Sequence, residues 1–166
     1  PLETLVQSLS KRPPHVVPGT AVFLTSDPDS APTALLHNLK HNKVLHETTI
    51  VLSVLTIDEP RAAEASRIAA SGCGPGIWRV SLSFGFSETP DVPRALAAAR
   101  IPGLEADWGS ATYFLGRESI SIGRKDGMAR WRKRIFSFLF ENAVSPSEFF
   151  RLPDSRIVTI GSRTAL

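Results

Sequence analysis

The chain has 166 residues, of which 42% are hydrophobic and 21% charged, with a formal net charge of +3. That length suits one core at ~100–200 residues per domain, and the composition excludes wholesale disorder. A pI near 9.4 is too mild a signal for a nucleic-acid polymer partner, which calls for a dense one-sided basic patch. One cysteine, Cys73, excludes an internal disulfide, and no run approaches the ~20 apolar residues of a membrane-spanning helix.

Leu2, Leu5, Val6 and Leu9 fall at helical spacing, which predicts an amphipathic helix over residues 2–10. Lys11-Arg12-Pro13-Pro14 ends it, because proline lacks an N–H and disfavours helix in the residue before it. Residues 1–17 then read as a connecting helix and a Pro-rich linker, and 18–166 as one α/β domain. The start Pro1-Leu2-Glu3-Thr4 has neither an initiator methionine nor a signal-peptide pattern, so a piece of a longer protein is expected. The run 20–25 (TAVFLT), bounded by Pro18-Gly19 and Ser26-Asp27-Pro28-Asp29, reads as a buried strand. Pro32 opens a helix with Asp29 or Ser30 as cap and Leu35, Leu36 and Leu39 as its inner face.

Residues 49–57 (TIVLSVLTI) are nearly continuous in apolarity, the pattern of a central strand covered on both sides. Residues 61–70 are ambiguous, with alanines that favour helix by propensity. Ser71-Gly72-Cys73-Gly74-Pro75-Gly76 reads as a turn with Cys73 exposed. In 77–86, Trp78, Val80, Leu82, Phe84 and Phe86 share one face of a half-exposed strand. Residues 91–100 form a helix with Pro93 in its first turn, and 112–122 a strand. The longest predicted helix is 128–142, with a stripe of Met128, Trp131, Ile135, Phe138 and Leu139. Ser145-Pro146-Ser147-Glu148 is a capping-box signal for a short helix, and 157–160 close as a strand. Interleaved strands and helices indicate an α/β single domain with a mixed central β-sheet flanked by helices.

Several segments together resemble the C-terminal domain of the Kup/HAK/KT potassium uptake transporters, bacterial Kup most closely. They are Pro18 to Thr25 (PGTAVFLT), Pro32-Thr33-Ala34-Leu35-Leu36-His37-Asn38-Leu39-Lys40-His41-Asn42-Lys43-Val44-Leu45-His46-Glu47, the Phe84 to Pro93 run (FGFSETPDVP), Tyr113 to Glu118 (YFLGRE), and Trp131-Arg132-Lys133-Arg134-Ile135-Phe136 with Asn142-Ala143. They are ordered along nearly the whole chain; residues 61–70 depart from the pattern. The resemblance implies a cytoplasmic domain at the bacterial inner membrane. It would belong to a transporter that couples potassium to protons and whose membrane domain is absent here. It supplies no catalytic residues and no cofactor.

The densest polar cluster is His37, Asn38, Lys40, His41, Lys43 and His46, expected as a ligand or interdomain contact on the rim beside the C-terminal end of strand 20–25. The returning helix would carry part of it to the opposite edge. His37 and His41 share a helix face and could grip a metal, but the glutamate of His-Glu-x-x-His is lacking, so no metal site is assigned. Asp27 to Ser30 sits where α/β folds bind anions on free N–H groups, yet it is acidic and has no glycine-rich loop. Tyr113 and Arg117 project to one face of a strand, with an ion pair as the structural reading of Arg117. Arg130, Arg132, Lys133 and Arg134 suit an anionic membrane surface or a solvated helix face. Ser26 lacks nucleophile-elbow glycines and Cys73 lacks a base, so no enzyme is read. The functional readings are a regulatory accessory of a potassium transporter, a nucleotide or cyclic-dinucleotide sensor, and a module that makes a transporter homodimer.

Overall fold

The computed structural model describes residues 1–121 and 145–165. Among these, six strands form one sheet: β1 (His15–Thr25), β2 (Val44–Ile57), β3 (Ile68–Gly74), β4 (Ile77–Gly85), β5 (Thr112–Ser121) and β6 (Ile157–Ala165). Their order is β3-β4-β2-β1-β5-β6. All neighbours are parallel except the β3–β4 hairpin, so the sheet is mixed, as expected, with its antiparallel pair at the turn-rich link before 77–86. β2 lies between β1 and β4, and Ile50, Val51 and Leu52 are all buried; a strand covered on both faces has no polar alternation. Its two buried hydroxyls are both satisfied: Thr49 donates to the His46 carbonyl at 3.0 Å, and Ser53 meets Ser81 across the ladder at 2.8 Å.

Helices cover both faces. α1 (Leu2–Lys11) and α2 (Thr33–His37) bring Leu2, Val6, Ala34 and Leu35 onto Ala21, Phe23, Val51 and Phe114. Phe23 and Phe114 stack with centroids 4.5 Å apart. On the other face α3 (Val92–Ala98) packs Val92 and Leu96 over Val22, Leu52, Val80 and Tyr113, and Leu152, just after α4 (Pro146–Phe149), completes that core. Asp91 and Ser145 cap α3 and α4 through their side chains, each with proline in the first turn. α1 is held at its start as well as by packing: the Leu2 N–H donates to the Asp29 carbonyl at 2.9 Å, and Arg79 lies 3.5 Å from Glu3 and 3.4 Å from Asp29.

Several local expectations change. The alanines of 61–70 do not make an α-helix; a short 3-10 turn, Glu64–Ser66, leads into β3. Ladder bonds to β4 outweigh a propensity difference of a few tenths of a kcal/mol per residue. Ser71 to Gly74 therefore belong to β3, and Cys73 is half-buried against the α1 side of the core. Only Pro75-Gly76 turns. Gly76 has φ +70, and a Cβ there would meet the Glu47 carbonyl at 2.3 Å. β1 begins at His15 and absorbs Pro18-Gly19 in a register shift, the place where a strand tolerates proline. Pro32 is itself the N-cap of α2 with no side-chain cap bond, and Leu36 is exposed rather than inward. The predicted helix 128–142, with Arg130, Arg132, Lys133 and Arg134, lies outside the described residues.

Candidate functional site

The His/Lys/Asn cluster sits at the N-terminal end of β1 and β2. α2 starts after the C-terminal end of β1 and runs back, and its continuation Asn38–Asn42 winds as one π-helical turn into β2. The His15 N–H donates to the Lys43 carbonyl at 3.2 Å, and His15 pairs with Val44 and Val17 with His46. The rim expected beside the C-terminal end of β1 is thus corrected: the returning helix, expected to carry part of the cluster to the opposite edge, carries all of it there.

Within the cluster, roles separate by burial. Asn38 is 3% exposed. Its Nδ2 donates to the Val44 carbonyl at 3.1 Å and its Oδ1 accepts from Asn42 Nδ2 at 2.8 Å, so it staples the π turn to β2. Asn42 shares this work and was not singled out by the sequence. Lys43 ends the turn in the left-handed region, φ 58. Lys40, His41 and Lys43 are exposed, and the His37 and His41 rings stack 5.7 Å apart. The His46 ring lies edge-on to Phe114 at 6.0 Å. Its Nδ1 is buried without a partner, and burial holds its pKa below the ordinary imidazole value. Among the described residues no three His, Cys, Asp or Glu side chains converge as metal ligands.

At the other end of the sheet, the Asp27 carboxylate accepts from the Ser30 hydroxyl and the Asp29 N–H, bonds that hold its pKa below the usual carboxylate range. The Asp29 N–H is thus committed to a carboxylate, and Asp29 itself faces Arg79. An incoming anion would meet two fixed negative charges there.

The best-organised polar group is one the sequence did not suggest. Arg67 Nη2 donates to Glu88 Oε1 at 2.8 Å and to the Ala62 carbonyl at 3.1 Å, and Nη1 reaches Glu88 Oε2 at 3.4 Å. Glu88 also accepts from the Gly85 N–H at 2.6 Å and the Ala62 N–H at 3.0 Å. The Arg67 bond first, then the two amides, pull the Glu88 pKa to about 2. The Arg67 guanidinium also lies over the Phe84 ring at 5.4 Å. This clasp ties the β2–β3 connection to the end of β4, where Gly85 lets the chain pass: a Cβ there would meet Pro60 and Arg61 backbone at 2.4 Å. Beside it, between β3–β4 and α3, opens a cleft of about 850 Å³ lined by Glu64, Arg67, Trp78, Glu88, Arg94 and Arg100 among others. The segment Phe84 to Pro93 was its trace in the sequence; residues 61–70, which feed the opposite wall, read as ambiguous.

Tyr113 is 1% exposed, in the core. Its hydroxyl and Arg156 Nη1 are both buried without a partner, and burial pushes the phenol pKa up. It is closed to a ligand at the sheet surface. Arg117 is placed by its backbone alone, opposite Gly161 on β6, so the structure brings neither residue to the histidine cluster.

The model of the K+ potassium transporter C-terminal domain family matches residues 18–166. Proteins described as probable potassium transport system protein Kup match all of this chain. The Caulobacter vibrioides NA1000 protein is 43% identical with 25% of its length covered, the Nitrobacter winogradskyi protein 46% with 26%, and the Kup 2 of Rhodopseudomonas palustris BisB18 44% with 26%. The chain spans about a quarter of the length of these relatives, which are transport proteins and not enzymes. No solved structure matches it. Among the described residues no helix is long and apolar enough to cross a membrane. The chain belongs to the potassium transporter C-terminal domain family.

Proposed function

We propose that this chain is an accessory domain on the cytoplasmic side of the bacterial inner membrane. It regulates or stabilises a potassium uptake transporter, of the potassium–proton symport kind, whose conducting part lies in the same protein outside this segment. The observation that carries this reading is full-length similarity to one quarter of potassium transport proteins, in a fold whose ordered polar groups are spent on structure. Among the described residues, Asn38, Glu88, Arg67 and Asp27 all bond to backbone or to neighbouring side chains. The test is potassium uptake by a transporter lacking residues 18–166, normalised to its abundance in the membrane. Residual uptake with altered regulation or assembly is expected. Complete loss at normal abundance and assembly would assign the domain a part in conduction.

A second reading, small-molecule sensing, is favoured by the cleft on α3, whose volume falls in the ~300–1,000 Å³ range of ligand pockets and whose wall includes Trp78, Arg94 and Arg100. Its charges balance, with Arg67, Arg94 and Arg100 against Glu64, Glu88 and Asp91, which weakens it for a polyphosphate. Calorimetric titration with ATP and with a cyclic dinucleotide decides it; silence with both removes the reading.

A further inference from the structure

We propose that the basic N-terminal end of the β1–β2 ladder is a docking surface for anionic phospholipid headgroups. Four permanent cations gather there: Lys11 and Arg12 at the end of α1, and Lys40 and Lys43 around the π turn. The His15–Lys43 backbone bond joins the two sets. This end protrudes, because His15 to Val17 pair only with Val44 to His46, whereas the ladders to β4 and β5 begin at Thr49 and Ala21. No Asp or Glu occurs in residues 4–26 or 30–46, the two stretches that build it. The carboxylates beside it are Glu47, next along β2, and Glu105, whose carbonyl accepts from the Thr48 hydroxyl.

Complementing the C-terminal dipoles of α1 and the π turn accounts for Lys11, Lys40 and His41. It does not account for Arg12, His15 and Lys43, nor for Val16, 51% exposed on the same tip. An apolar side chain ringed by cations matches the headgroup layer, where basic clusters are held by anionic lipid. The family's membership of membrane transport proteins puts such a layer within reach. Pro1 lies at the other, acidic end beside Asp29.

The inference rests on the accessory reading for its setting but fails separately from it, because vesicle binding says nothing about uptake. The 166-residue chain is mixed with phosphatidylcholine vesicles with and without about 30% phosphatidylglycerol and sedimented at low and high salt. Binding should need the anionic lipid and collapse in about 0.5 M salt. The double variant K40A/K43A should bind about ten- to thirtyfold more weakly while melting at an unchanged temperature, and K40E/K43E should not bind. The proposal is overturned by equal binding to neutral vesicles, by unchanged affinity in K40E/K43E, or by loss only when Arg130, Arg132, Lys133 and Arg134 are replaced. Binding to a nucleic-acid duplex with none to the vesicles overturns it too.

Discussion

Gly85 and Glu88 act at one crossing, and each makes a residue-scale prediction. Phe86 and Ser87 donate their N–H groups to the Glu59 and Pro60 carbonyls, so residues 59–61 lie directly on the end of β4. Gly85→Ala forces backbone on backbone and should destabilise by about 1–3 kcal/mol. Gly72→Ala, whose Cβ would sit 4.0 Å from Trp78, should be neutral or mildly stabilising, by less than ~1 kcal/mol. Urea denaturation of the two variants checks this; equal midpoints would mean that the crossing loop yields. For Glu88, the folded pKa of about 2 lies below the reference value of 4.5. A depressed carboxylate contributes stability that is present above the unfolded pKa and lost as pH falls through the folded one. Glu88→Gln should therefore be less stable than the parent near neutrality, with the gap closing between about pH 5 and pH 2. Denaturation curves across that window would show it, and a gap independent of pH would assign the loss to hydrogen bonding alone.

Elements are set by what they bury and by what staples them. α1 places Leu2 and Val6 in the core at 0% and 8% exposure, and Val6 fills the space beside Gly74 on β3. Deleting residues 1–12 should thus cost about 3–6 kcal/mol, at ~1.5–3 kcal/mol for each large apolar side chain re-exposed. An unchanged melt would return α1 to the status of a linker. The π turn depends on Asn38 rather than on its charges. Asn38→Ala breaks two buried hydrogen bonds and should cost about 1–3 kcal/mol, whereas the exposed Lys40 and Lys43 together contribute about 0–1 kcal/mol. Thermal melts of N38A and K40A/K43A separate the two; similar losses in both would make the whole cluster structural.

At the scale of the molecule, the parallel topology sorts charge as well as side chains. The chain leaves β1, β2 and β4 into Asp27, Asp58 and Glu88, and enters β1 and β2 from Lys11-Arg12 and Lys43. The result is a domain with an acidic end and a basic end, although the net charge is only +3. Cohesion comes from two apolar cores on either side of one sheet, so folding should be cooperative and indifferent to metal. Melting with and without a strong chelator tests that, and a large fall on chelation would reinstate His37, His41 and His46 as ligands.

Periodicity and turn chemistry alone determined the mixed α/β class, the central place of β2, the first-turn proline of α3 and the cap of α4, because these rest on local preferences and on burial that a sequence states directly. The order of matched segments likewise pointed to the transporter family before any packing was known. Tertiary structure alone decided the rest. Alanines that favour helix became an edge strand once β4 offered a ladder. Tyr113 became core because α3 and Leu152 close over it. The direction of the β1–α2–β2 crossover, which no single segment encodes, put the histidines at the far end of the sheet. The Arg67–Glu88 clasp needed the same information: its partners lie 21 residues apart and meet only after β3 and β4 have paired. Contacts between distant segments carry no local signal, so the groups that depend on them are legible only in the folded chain.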